Sequence, residues 1–309
     1  MRLGNIVTGH SELGATPQDL WGINHATWFL CMGLGSALFL NRLLFGIDVE
    51  QVLGLPLADV LGLILVGIGG LVLLASLGRP FRILGALRNP GQSWISRGAI
   101  ADFVFLLLGA LLLLPYLRLG GSRPLAGLPW APGTGLERAL AGVAAAAALF
   151  IIVYPGLVLA VLRTIPFWNT NLIPLQYLAS AFASAAGLAY LLGSPASCRA
   201  PAAVAVASIL ATLAFSIAHI ASAHRRQGVA RVSAAMVTRG AWAPQFLCGG
   251  LLLGLIVPGL ILALHLARGL GIGLLALAGV LLLAGNFFSK YAVIKAGYLA
   301  PVFGPVRAR

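Results

Sequence analysis

The chain has 309 residues, of which 60% are hydrophobic and 9% charged, with a formal net charge of +13. A soluble domain carries about a quarter of its residues as charges, so this composition excludes an ordinary water-soluble globule. The apolar stretches are continuous rather than alternating, which favours membrane-spanning helices over a barrel, and the excess positive charge then reports orientation or docking rather than nucleic-acid binding.

Residues Met1 to Leu20 are polar and lack the short apolar core of a cleavable signal, so the first span is expected to be retained. Eight spans follow at about 21–44, 57–77, 97–117, 139–162, 174–193, 201–223, 245–267 and 271–290. Each approaches the roughly 20 apolar residues that cross about 30 Å of hydrocarbon as a helix. The expected fold is an all-α polytopic bundle forming one membrane domain over residues 1–309, with no loop long enough to fold alone. Pro56, Pro80, Pro90, Pro174, Pro195, Pro201 and Pro244 fall near span ends, whereas Pro155 and Pro258 fall inside spans four and seven and predict kinks there. Only Arg268 and Gly269 separate the last two spans, which requires a tight turn. Cys31, Cys198 and Cys248 show no paired spacing, so neither a zinc nor an iron–sulfur site is expected in this chain.

An even number of spans puts both termini on one side, here called face A. Most of the 20 Lys and Arg residues fall on that face, notably Arg79, Arg82, Arg88 and Arg97 after span two and Arg225, Arg226, Arg231 and Arg239 after span six. The positive-inside rule then makes face A cytoplasmic. Ionisable groups inside a span are costly and mark function by default. The candidates are His25 in span one, Asp102 in span three, His219 in span six and Tyr154 in span four, all toward face A. A quinone needs hydrogen-bond donors for its two carbonyl oxygens and a titratable neighbour to exchange protons, and histidine and tyrosine suit these tasks. The alternatives are structural: His25 and His219 as interfacial residues, Asp102 paired with an arginine to hold two helices, and Tyr154 in an aromatic belt. Haem ligation by His25 with His219 is disfavoured because no span holds two well-spaced buried histidines. A transporter with helices broken at Pro155 and Pro258 is the second class. Against it, few polar residues fall at mid-membrane and no inverted repeat is visible. A purely structural anchor is the third.

Several motifs occur in order along the chain. Ser76-Leu77-Gly78-Arg79-Pro80 is followed by Arg88-Asn89-Pro90 and Ser93-Trp94-Ile95-Ser96-Arg97-Gly98. Tyr154-Pro155-Gly156-Leu157-Val158-Leu159 precedes Pro166-Phe167-Trp168-Asn169-Thr170 and Pro174-Leu175, and Gly285-Asn286-Phe287-Phe288-Ser289-Lys290-Tyr291 precedes Lys295-Ala296-Gly297-Tyr298. In this order and spacing the chain resembles the NrfD family, the membrane subunits of polysulfide reductase-type complexes, over nearly its whole length. The resemblance implies a haem-free bundle of eight or slightly more helices without a metal of its own. It also implies an iron–sulfur partner connected to a molybdenum or tungsten pterin catalytic subunit, and electron exchange with menaquinone or a similar quinone in a prokaryotic membrane, as in anaerobic respiration. By the same resemblance Asn24, His25 and Tyr154 hold the quinone. From their own chemistry and place, Arg79 and Arg97 are expected to fix the loop between spans two and three against the partner, or to offset negative charge on a partly reduced quinone, and Asp102 and His219 to relay protons. Ser76 and Lys290 depart from the family pattern, which often has an acidic residue or histidine before LGRP and an arginine in the last helix. Relatives with catalytic subunits outside the cytoplasm place them on face A, opposite to the charge count.

Overall fold

A computed structural model describes residues 14–47, 49–76, 91 and 93–301. Residues 77–90, which carry the Leu-Gly-Arg-Pro motif with Arg79, Arg82 and Arg88, lie outside the described residues, as do Arg2, His10, Arg307 and Arg309. Among the described residues nine helices form: α1 Ile23–Phe45, α2 Leu57–Ser76, α3 Trp94–Leu113, α4 Gly135–Ala160, α5 Leu172–Leu188, α6 Ala200–Arg225, α7 Val229–Thr238, α8 Pro244–Arg268 and α9 Ile272–Lys295. Seven of them are long and apolar enough to cross a membrane.

The expected fifth span is α5, only 17 residues long. It ends at Leu188, and the residues that hydropathy added to it form tight turns as far as Gly193. Along most of its length α5 is buried, packed by α4, α6, α1 and α9, so protein rather than lipid surrounds it. Helix α7 is not among the expected elements: between α6 and α8 the chain forms a ten-residue amphipathic helix, with Val229, Ala230, Ala234 and Val237 turned inward.

The two proline-containing spans differ. Helix α4 continues through Pro155. Helix α8 is wound as a π-helix from Pro244 to Ile256 and as an α-helix from Val257, with Pro258 in the first turn of the α-wound part. A π-wound stretch of this length is rare. It packs on α9 where Gly254 meets Gly285, and a Cβ on either glycine would strike the other's backbone. The turn between α8 and α9 is tight, as expected: Gly269 takes φ +72°, and Leu270 N–H donates to His265 Nδ1 at 3.0 Å.

At the opposite end of the bundle, near residue 298, the strand Thr16–Pro17 (β1) pairs antiparallel with Tyr298–Leu299 (β4); a second small ribbon, Gln51–Val52 (β2) with Leu55–Pro56 (β3), joins α1 to α2. The first pairing places residues just before α1 and just after α9 together on face A. Gln18 ties them further, donating from Nε2 to Ile294 O at 3.0 Å. At the far end of α1 and α2, Arg42 grips Asp59 with Nε to Oδ1 at 2.8 Å and Nη2 to Oδ2 at 2.5 Å. Asp59 is 5% exposed, so this bidentate pair is mostly withdrawn from water, where its geometry holds the two helices in register.

Candidate functional site

Aromatic residues form a continuous layer below face A. Trp94 of α3 stacks near Phe150 of α4 with ring centroids 6.4 Å apart, and Phe150 stacks on Tyr154 at 5.9 Å. Trp28 of α1 covers Tyr154 at 5.9 Å and packs on Phe29 at 4.8 Å. His25 lies one turn above Trp28, stacked on Trp21 at 4.6 Å and edge-on to Trp28 at 6.4 Å.

The helix start that carries Ser93 to Gly98 builds one wall. The Ser93 hydroxyl caps α3 by accepting from Ser96 N–H at 3.2 Å, which satisfies one of the first-turn donors. Arg97 lies over the Trp94 ring, 4.6 Å from its centroid, and donates from Nη2 to Gly91 O at 2.8 Å. Gly98 lacks the Cβ that would overlap the Tyr154 ring. The motif therefore makes room for the tyrosine as well as starting the helix.

Tyr154 is fully buried. Its side chain lies against Asp102 of α3 and against the indole edge of Trp28, near enough to interact with both. None of the three is aligned for a good hydrogen bond: Tyr154 Oη, Trp28 Nε1 and Asp102 Oδ1 are each buried without a partner among the described residues. Leaving one such group buried and unsatisfied costs about 1–3 kcal/mol, so three together form a strained set of two donors and an acceptor. At about 1.5 Å of rise per residue, these side chains start roughly 8 to 12 Å below the face A ends of their helices. His25 sits near the mouth and is half-buried, and Asn24 beside it is exposed.

Thus His25, Asp102 and Tyr154 come together around Trp28, a residue that sequence reasoning passed over as one more apolar aromatic. Its place one turn after His25, at i and i+3, was the available signal. His219 stands apart. It stacks on Phe167 at 4.7 Å and its Nε2 lies 3.0 Å from Phe167 O; a carbonyl only accepts, so Nε2 carries the proton. Together with Arg226, which donates from Nη1 to Pro166 O and Asn169 O, it pins the Pro166–Thr170 segment. Trp168 of that segment reaches α9, donating from Nε1 to Val293 O at 3.0 Å.

A second buried polar cluster lies inside the bundle. Helix α9 runs to Lys295, so Lys290 is inside it, 4% exposed. Its ammonium donates to Ser180 Oγ at 3.0 Å and to Asn286 Oδ1, and lies 4.4 Å from the centroid of the Tyr177 ring. Asn286 in turn donates to Ser184 Oγ at 3.0 Å, and Gln176 donates to Ser216 Oγ at 2.8 Å. No group of three or more metal-ligating side chains occurs among the described residues.

A polytopic helical bundle with an aromatic layer and a closed polar cluster beneath one face is thus the class of protein defined by the fold. The family model described as polysulphide reductase, NrfD, matches residues 11–302, and the chain belongs to the NrfD family, whose members are membrane subunits of redox complexes. No curated protein matches the chain closely enough to count as a relative.

Proposed function

We propose that this chain is the quinone-binding membrane anchor of a multisubunit redox complex, exchanging electrons between a partner's iron–sulfur cluster and menaquinone or a similar quinone. The observation that carries the reading is the trio of unpartnered polar atoms, Tyr154 Oη, Trp28 Nε1 and Asp102 Oδ1, gathered among aromatic rings. Such a set matches the chemistry of a quinone headgroup, an apolar ring with two oxygens that need donors. When bound, the quinone supplies a two-electron, two-proton couple. Tyr154 and Trp28 donate hydrogen bonds to its oxygens, Asp102 holds or gives a proton beside Tyr154, and His25 exchanges protons with the wet mouth where Asn24 lies. Because Tyr154 is fully buried, entry of the ring requires Trp28 or Phe150 to turn aside. His219 already has a partner in Phe167 O, so the proton traffic is assigned to Asp102 and His25.

Face A suits partner docking. Arg225 and Arg226 end α6, Arg231 lies on α7 and Arg239 follows it, all exposed, beside the paired strands β1 and β4. Arg79 belongs to the same face in sequence. The iron–sulfur subunit, and through it a molybdenum or tungsten pterin subunit, docks there in this proposal, on the cytoplasmic side by the charge bias.

The test is quinone-linked turnover of the assembled complex purified from its membrane. His25→Ala and Tyr154→Phe should each lower turnover at least about tenfold with the complex intact, and unchanged turnover in both removes this site. Orientation is read separately with Cys198, which is partly exposed in the loop before α6. A membrane-impermeant maleimide should label it from outside intact cells, and labelling only after permeabilisation reverses the assignment.

A further inference from the structure

Lys290 is a buried cation in a region the proposed quinone chemistry does not use. Removing an ammonium from water costs several kcal/mol even after relaxation, and the usual compensation is a carboxylate. Among the described residues the ion pair formed is Arg42 with Asp59, and no carboxylate reaches Lys290. Its partners are neutral: Ser180 Oγ, Asn286 Oδ1 and the face of Tyr177. Hydrophobic side chains of similar volume commonly hold helices together as well as a buried charge does, so helix packing alone does not explain a lysine here.

The choice of base is informative. Of the 20 basic residues only Lys290 and Lys295 are lysines, and the rest are arginines. Guanidinium does not lose its proton in proteins, whereas a buried amine does so readily. The chain has therefore placed one of its two releasable ammonium groups in its interior, while no arginine is buried among the described residues.

The surroundings accommodate both forms of the amine. A cavity of about 10 Å³ opens beside it, lined by Gln176, Tyr177, Ser184, Thr212, Asn286 and Lys290 among others, enough for about one water. Gln176 Oε1 and the Tyr177 hydroxyl have no partner among the described residues, so that water would have an acceptor and a donor waiting. Ser180 accepts from the ammonium, and its hydroxyl donates to Tyr177 O at 3.1 Å; by rotating, the same hydroxyl donates to the lone pair of the neutral amine. Helices α5, α6, α8 and α9 supply the lining, and the titratable groups on it are Lys290 and Tyr177.

The cluster is also in contact with the proposed quinone site. The Tyr177 ring packs on Phe29 at 5.4 Å, Phe29 on Trp28 at 4.8 Å, and Trp28 on Tyr154 at 5.9 Å. A change of charge at Tyr154 and Asp102 is felt at Lys290 through these rings rather than through water, where the low dielectric strengthens it.

We infer that Lys290 is a proton-binding site separate from the Tyr154 cluster, taking up and releasing one proton through the adjoining cavity as the charge at that cluster changes. The balance is one proton each way: the amine takes a proton from protonated cavity water, and on release the ammonium gives it back to that water, which passes it to the aqueous phase. Negative charge arriving near Tyr154 favours loading, and its departure favours release. The coupling rests on the quinone reading, but the protonation of Lys290 does not.

Two measurements test this independently. The full chain, carrying Lys295→Arg and labelled with ¹⁵Nζ-lysine in lipid nanodiscs, gives a single side-chain signal from Lys290. That signal should pass from ammonium to amine between about pH 5 and pH 10, and a signal that stays ammonium or stays amine across that span overturns the site. The assembled complex in detergent is then reduced in a single turnover beside a pH-sensitive dye and assayed for protons taken up from the medium per electron pair. Lys290→Arg, always charged, and Lys290→Gln, always neutral, should both lower that ratio while quinone turnover continues. Recovery of the wild-type ratio by Lys290→Arg would show that a fixed charge suffices and would overturn the coupling. If Tyr154→Phe leaves turnover unchanged, the quinone reading falls, and the nanodisc titration still decides Lys290.

Discussion

The Tyr154 and Lys290 clusters lie at similar depth in one bundle, yet the groups at their centres are treated differently. Around Tyr154 a hydroxyl, an indole N–H and a carboxylate oxygen are buried and left unpartnered. Around Lys290 the charge itself is held by Ser180 and Asn286, and Asn286 by Ser184; the unpartnered Gln176 Oε1 and Tyr177 hydroxyl face the cavity beside it. Groups buried without partners are a standing cost that a bound ligand can relieve. Groups satisfied by one another contribute to the packing of the helices that bear them. Burial of polar atoms therefore has two meanings here, and their hydrogen bonds separate them.

The largest expected effect follows from removing the unpartnered set. The double variant Asp102→Asn, Tyr154→Phe should lower quinone-linked turnover of the assembled complex by at least about 100-fold, while its thermal midpoint in detergent stays level or rises. A midpoint that falls together with activity would make the Tyr154 cluster structural and dissolve the contrast. The satisfied cluster should respond the other way. Asn286→Leu takes a partner from the buried ammonium and should cost about 2–3 kcal/mol of stability, read as a lowered unfolding midpoint, with turnover of the remaining folded complex unchanged. Trp28→Phe keeps the ring contact with Tyr154 but deletes the N–H donor; it should reduce turnover about tenfold with no loss of stability. The smallest effect is expected at His219. His219→Phe preserves stacking on Phe167 and loses the bond to Phe167 O, costing about 1 kcal/mol without changing turnover. A turnover defect there would return His219 to the proton path.

Hydropathy made the bundle legible because span length and continuous apolarity are set by the lipid. The short motifs were legible too, and the structure gives several of them local reasons: Ser93 caps α3, Gly98 admits Tyr154, and Trp168 reaches the backbone of α9. The Lys290 cluster was not foreseen because small polar residues barely interrupt hydropathy and a lysine near the end of a span looks interfacial. Spacing carried the missing information. Gln176, Ser180 and Ser184 recur at four-residue intervals on α5, as do Thr212 and Ser216 on α6 and Asn286 and Lys290 on α9, each putting polar groups on one helix face. The π winding of α8 left no comparable trace in the sequence.

The clasp at face A has a consequence for biogenesis. Gln18 binds Ile294 O, Trp168 binds Val293 O, Ala300 N–H donates to Thr164 O, and Thr16–Pro17 pairs with Tyr298–Leu299. All of these partners lie at residues 293–300, at or just after the end of α9. Earlier helices can enter the bilayer one after another, but the Gln18 and Trp168 side chains find these partners only once residues 293–300 have been translated. A chain cut short just after Leu282 would keep most of its hydrophobic spans and still lack this closure.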